Sequence, residues 1–234
     1  MKKFGIVYVC WGDVTEELEK SINSLNGLPY LVVTDKEIEF NHICVNYPNH
    51  MKSYTRKILS YSLSPFEKTL YLDADCIMLS SLDYAISKLD YYDMCLCQSP
   101  CYSLRHLNKD IVHFNSGVLF FNKCSQNDIL FKRWEDIIFE LKLRDEFEYD
   151  QVGLSIAIDE INPLFFTLPP TWNFRPHINQ HNDKAFVHGP IKIWHSRDKS
   201  AENLNENLLS NKWHKPKIIR REKGVWRNSC LKIL

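Results

Sequence analysis

Glycine is scarce in this sequence, seven residues in 234, and the N-terminal part holds no glycine-rich loop of the kind that cradles phosphates in nucleotidyltransferases. No run approaches the ~20 apolar residues a membrane-spanning helix needs. The opening Met1-Lys2-Lys3 and the apolar stretch after it break at Gly12-Asp13 without a small-residue cleavage pattern, so this stretch reads as a first strand and not as a signal peptide. Eight cysteines, at 10, 44, 76, 95, 97, 101, 124 and 230, include no CxxC pair. Several lie in apolar, strand-like runs, which predicts reduced core thiols and a cytoplasmic setting rather than a disulfide framework. The group Cys95, Cys97, Cys101 and His106 also lacks zinc-site spacing. Net charge is absent too, 29 basic residues against 29 acidic. It is uneven along the chain, however, because residues 211–234 carry eight Lys or Arg and one acid, Glu222. There is no internal repeat and no low-complexity tract.

What is present is apolar material, 44% of the residues, with 13% aromatic, enough for one large core. We read one domain over 1–200 and a C-terminal helix and basic tail over 201–234. Elements alternate: strand 4–11, helix 14–25, strands 30–35 and 42–47, helix 53–63, strand 68–79, helix 82–90, strand 93–98, a loop to Asn115, strand 117–122, and helices 127–143 and 149–159. Beyond 160 regularity falls away. The proline-rich 167–176 reads as an ordered loop or edge, followed by a strand at 190–195 and a polar helix near 201–210. This pattern predicts an α/β fold with a mostly parallel central sheet, helices on both faces, and ligands at the carboxyl ends of the strands.

Such an end carries the stretch Thr69-Leu70-Tyr71-Leu72-Asp73-Ala74-Asp75-Cys76-Ile77-Met78-Leu79. Residues i and i+2 of a strand point to one face, so Asp73 and Asp75 would project side by side. Two like charges held that close call for a cation, a basic partner or a shared proton. A divalent cation between these carboxylates and a diphosphate would stabilise a phosphate leaving group.

Four segments in order then resemble glycosyltransferase family 8 and related nucleotide-diphospho-sugar transferases of GT-A fold. Asp73-Ala74-Asp75 is similar to the DxD motif, Phe114-Asn115-Ser116-Gly117-Val118 to FNxGV, Asp150-Gln151 to a DQ pair, and Gly189-Pro190-Ile191-Lys192-Ile193-Trp194-His195 to HxxGxxKxW. The last departs from pattern, with Phe186 where the family has His. The resemblance implies a Mn²⁺ (or Mg²⁺) site of Asp73, Asp75 and a histidine, His195 in preference to His188. It implies donor contacts from Arg56, Lys57, Asp73, Ala74, Asn115, Ser116, Gly117 and Lys192, with Asp150 at the sugar and Gln151 below the anomeric carbon. By topology the strand ends Val9, Cys10, Trp11 and Asp35 would face the nucleoside; Asp35 could equally cap the next turn. The implied reaction moves a sugar from a nucleotide donor, in first place a UDP-sugar, to a hydroxyl on a carbohydrate or glycoconjugate, retention being slightly favoured. If the reaction inverts, Asp150 is the candidate base.

Two other readings were weighed. A haloacid-dehalogenase-type phosphatase would place DxD after its first strand, whereas about 70 residues precede it here. A non-catalytic nucleotide-sugar-binding protein would have no need for Asp73, Asp75, Asp150 and a cleft histidine together. Residues 212–227 interleave basic residues with Trp213, Ile218, Ile219 and Trp226. That suits an anionic membrane surface, and hence a peripheral location, or a segment folded back on the domain. No nucleic-acid module accompanies it.

Overall fold

The computed structural model describes residues 2–12, 15–46, 53–99, 111–143, 150–175, 180–181, 184–187, 189–196, 217–222 and 225–229. In chain order the first half holds β1 (Lys2–Cys10), α1 (Thr15–Asn23), β2 (Tyr30–Thr34), β3 (His42–Cys44), a 3-10 turn (Ser53–Ile58) running into α2 (Leu59–Ser62), β4 (Phe66–Leu72), β5 (Cys76–Met78), α3 (Asp83–Lys88) and β6 (Met94–Gln98). The second holds β7 (Phe114–Asn122), α4 (Ser125–Leu143), α5 (Asp150–Ile161), β8 (Phe165–Leu168), a 3-10 turn (Pro170–Asn173), β9 (Gln180–His181), β10 (Lys184–Val187), β11 (Ile193–His195), β12 (Lys217–Glu222) and β13 (Val225–Ser229).

Seven strands form the main sheet in the order β3-β2-β1-β4-β7-β6-β8. Every pairing is parallel except the two made by β7, which runs antiparallel to β4 and β6. Alternation along the strands builds a core on each face. Tyr71, Leu119 and Phe121 pack with Phe131, Trp134 and Ile138 of α4 and Leu154 of α5. Leu70, Leu72, Val118 and Phe120 pack on the other side with Leu18 of α1, Leu82 and Leu89 around α3, and Trp172. No helix of the described residues is long and apolar enough to cross a membrane.

Several expected elements differ. The strand foreseen at 68–79 is two strands, because Asp73 to Cys76 forms a turn closed by Cys76 N–H to Asp73 O at 3.0 Å. After it β5 leaves the main sheet to pair antiparallel with β11. Aspartate favours such turns over strand interiors. The helix foreseen at 53–63 is mostly 3-10, and β11 is confined to Ile193–His195. Beyond 160 the sequence hid β8, four residues between Pro163 and Pro169, which pairs parallel with β6. The basic segment contributes β12 and β13, which pair antiparallel with each other and, through β12, with β10. The helix foreseen at 201–210 lies outside the described residues.

The sheet is tightest where β1 crosses β4. A Cβ added at Gly5 would overlap the ring of Phe66, itself fully buried. Gly5→Ala should therefore cost about 1–3 kcal/mol of stability through overpacking, and adding Phe66→Leu should return part of it. Urea unfolding of the three variants measures this; an unshifted Gly5→Ala midpoint would show that the ring yields freely.

Candidate active site

Because β7 runs antiparallel, its first residues lie beside the last residues of β4. Val118 pairs with Leu72, and Asp73 N–H donates to Gly117 O at 2.9 Å. Asn115, Ser116 and Gly117 thereby reach the carboxyl end of the sheet from a strand that begins there. β11 arrives from the other side, with His195 opposite Cys76 and Ser196 N–H donating to Asp75 O at 3.0 Å. Asp150, the first residue of α5, completes the group from the helical layer, and its carbonyl accepts Trp134 Nε1–H at 2.9 Å.

The positive centre is Lys57, 5% exposed. Its Nζ lies 2.7 Å from Asp150 Oδ2, 3.0 Å from Asp73 Oδ1 and 3.2 Å from Ser116 Oγ. Burial lowers its pKa, but Asp150 and Asp73 outweigh that and hold the ammonium above its ordinary range. Ser116 Oγ–H donates to Asp150 Oδ2, and Tyr71 O–H donates to Asp73 Oδ1 at 2.5 Å. Burial first, and then Asp73, keeps the Tyr71 phenol neutral.

Asp73 and Asp75 do not project from one strand face as the sequence suggested; they sit on the turn. The turn nonetheless converges them on His195, whose Nε2 lies 3.3 Å from Asp75 Oδ1 and 3.6 Å from Asp73 Oδ2. The His195 Nδ1–H donates to Asn173 Oδ1 at 2.7 Å, which fixes the ring so that Nε2 faces both carboxylates. Two carboxylate oxygens and an outward-anchored imidazole are a donor set for a divalent cation. Asp75, Cys76 and His195 also bring ligand atoms within 4.8 Å of one another. Burial, and then Asp75 and Asp73, push the Cys76 thiol well above its ordinary range, and Asp73 Oδ2 offers a further ligand atom 3.6 Å from Nε2. Burial and the same two carboxylates push Cys10, at the end of β1, up to about 12.

Hydrogen bonds between amides join the two ends of the site. Asn173 Nδ2 reaches Asn115 Oδ1 at 2.7 Å, Gly117 N–H reaches the same oxygen at 2.8 Å, and Asn115 Nδ2 reaches Gln151 Oε1 at 2.8 Å. A Cβ at Gly117 would overlap the His195 ring and stand 2.6 Å from Asp73 Oδ2, so only glycine lets β7 pass so close.

The structure thus gathers Lys57, Asp73, Asp75, Asn115, Ser116, Gly117, Asp150, Gln151 and His195, with Cys10 beside them and Ala74 on the turn. Arg56 stacks its guanidinium on Trp11 at 4.7 Å, and Val9 is half-buried one residue before Cys10. Two foreseen residues stand apart. Lys192 lies beyond β11, with Nζ on Ser80 Oγ at 2.9 Å, because the antiparallel register that puts His195 at Cys76 carries Lys192 to Leu79. Asp35 follows β2, two strands from β4. His188 lies outside the described residues. Tyr71 and Asn173 were missed: Tyr71 reads as core, and Asn173 sits between two aromatics in a proline-rich stretch with no periodic signal.

A family model described as "Mannosyltransferase putative" matches residues 6–139, more than half of the chain. The chain belongs to this family. The family description makes the chain a glycosyltransferase, and its fold is the GT-A fold of the solved neighbours. The glycosyltransferase GlyE of Streptococcus pneumoniae superposes with a TM-score of 0.60 at 18% identity over 88% of this chain, which spans only 57% of GlyE. The galactosyltransferase LgtC, solved with donor and acceptor sugar analogues, gives 0.59 at 18% identity over 84% of this chain and 88% of its own. Mouse xyloside xylosyltransferase 1 gives 0.54 at 13% identity over 83% and 98%. No curated protein matches the sequence. The family match ends before Asp150, Asn173 and His195, whose place in the site rests on geometry.

Lys57→Met keeps the side-chain length but leaves two carboxylates without their shared cation. It should cost about 3–5 kcal/mol, the penalty for breaking a buried ion pair from one side, and Lys57→Arg should cost less. Chemical denaturation of both variants tests this, and a Met variant as stable as wild type would show that the carboxylates need no cation.

Proposed function

We propose that this glycosyltransferase moves a sugar from a nucleotide-sugar donor to a hydroxyl of a carbohydrate or glycoconjugate acceptor, with a divalent cation, Mn²⁺ or Mg²⁺, held by Asp73, Asp75 and His195. The observation that carries the reading is the convergence of two carboxylates on His195 Nε2 at 3.3 and 3.6 Å, at the carboxyl end of β4. When bound, the cation supplies Lewis-acid stabilisation to the diphosphate leaving group.

The remaining roles fall to the chain itself. Lys57 offsets the charge of Asp73 and Asp150, so the acidic site stays assembled between turnovers. Asn115 and Ser116 offer short hydrogen-bonding groups where β7 opens, suited to sugar hydroxyls. Gln151 is held in one orientation by Asn115. Asp150 Oδ2 already accepts hydrogen bonds from Lys57 and Ser116, so that oxygen is not free to take a proton from an acceptor. That supports retention, in which the leaving phosphate takes the acceptor's proton. The sequence reading favours a uridine donor, and the family description brings mannose into the choice of sugar.

A thermal-shift panel of UDP- and GDP-sugars, mannosyl donors included, with Mn²⁺ should show one donor raising Tm as mass action requires, and excess chelator should abolish the rise. Asp75→Asn should remove both metal-dependent donor binding and turnover while leaving the circular dichroism unchanged. Donor hydrolysis that continues in chelator would sink the metal assignment. His195→Ala should weaken Mn²⁺ binding far more than His188→Ala, and the reverse ranking would move the ligand to His188.

A further inference from the structure

The opposite edge of the sheet carries a second group of ligand-bearing side chains, unrelated to the donor site. Glu37, His42 and Cys44 bring one ligand atom each within 4.8 Å of one another. His42 Nε2 lies 2.9 Å from Glu37 Oε2, and Cys44 Sγ–H donates to Glu37 Oε1 at 3.4 Å. On its other side the His42 ring meets the backbone carbonyl of Phe40, with Nδ1 at 2.8 Å. A carbonyl only accepts, and so does a carboxylate, so while both contacts are made the ring carries a hydrogen on each nitrogen, and Nε2 is the nitrogen turned to Glu37. A carbonyl on the outer nitrogen is how metal-binding histidines are commonly fixed in tautomer and orientation.

The backbone explains why the three meet. His42 and Cys44 are i and i+2 on the edge strand β3 and share one face. Glu37 comes across from the connection 35–41, which joins the parallel neighbours β2 and β3. Parallel neighbours are usually joined by a dozen residues or more with a covering helix. This connection is shorter because β3 pairs only with Val32–Thr34, and its polar side chains, Glu37 among them, lie over the strand instead of a helix.

We propose that Glu37, His42 and Cys44 form a zinc site, binding through a carboxylate oxygen, Nε2 and Sγ, with a fourth position for water. On binding, the Cys44 thiol proton and the His42 Nε2 proton leave to solvent, and the thiolate and the imidazole nitrogen become ligands. The mixed sulfur, nitrogen and oxygen set selects zinc or another thiophilic divalent ion, whereas Asp73, Asp75 and His195 suit a hard cation. The bound ion staples the connection onto β3 and closes off an exposed thiol.

The test is titration of the full chain with Co²⁺, read by the near-ultraviolet thiolate-to-cobalt absorption and by its loss when Zn²⁺ is added. Wild type should show the band, and Cys44→Ser should lack it. His42→Ala should weaken cobalt binding by more than about 100-fold, since losing a ligand costs more than losing a ligand's outer partner. Asp75→Asn should leave the band unchanged. No band in wild type, a band that survives Cys44→Ser, or one lost in Asp75→Asn would each overturn the proposal, the last by placing the thiolate at Cys76. Circular dichroism checks folding; should Cys44→Ser fail it, Glu37→Gln takes its place, and an undiminished affinity there overturns the proposal equally.

Discussion

One buried ammonium decides whether the acidic end of this sheet can exist. Asp73 follows β4, Asp150 starts α5, and Ser116 is the third residue of β7; the three meet on Lys57 Nζ. Without that charge two carboxylates would be drawn together in a poorly solvated space, where repulsion is screened little. With it, a 3-10 turn, two strands and a helix are tied at one point. Lys57 reaches Asp73 Oδ1 at 3.0 Å and Oδ2 at 3.4 Å, and Oδ2 also faces His195.

Much of this was legible in the sequence. The βα alternation, the long apolar runs of β1 and β4 and the amphipathic α1 and α4 follow from periodicity, and the acidic pair stood out because apolar runs flank it on both sides. The sequence carries no sign of strand direction, so β7 could not be seen as antiparallel, although its direction is what carries Asn115 to Gly117 to the site. The break at Asp73 was hidden because Cys76-Ile77-Met78 continues the apolar run of β4 without a turn residue of the glycine or proline kind. Elements of two to five residues, β8 and β9 among them, offer too few positions for a period to show. Lys57 read as a donor contact; its ion pairs are with residues 16 and 93 positions away, which no local pattern reports.

The family match and the fold likeness cover the site unequally. The matched residues 6–139 hold the Asp73–Asp75 turn, Lys57 and the start of β7, while the other wall, with Asp150, Gln151, Asn173 and His195, comes from the remainder of the chain. The two walls are joined by hydrogen bonds of the side chains themselves, Ser116 to Asp150 and Asn115 to Gln151 and Asn173. A change in either wall is therefore felt across the cleft.

Those amide contacts also have a sense. His195 donates to Asn173, Asn173 to Asn115 and Asn115 to Gln151, so each step passes a hydrogen the same way. Gly117 N–H pins Asn115 Oδ1 and so fixes the sense of the whole row, because an amide turned end for end would set donor against donor on one side and acceptor against acceptor on the other. One backbone N–H in this way orients the side chains on both sides of Asn115, and it leaves the N–H groups of Gln151, not its carbonyl, outside the row.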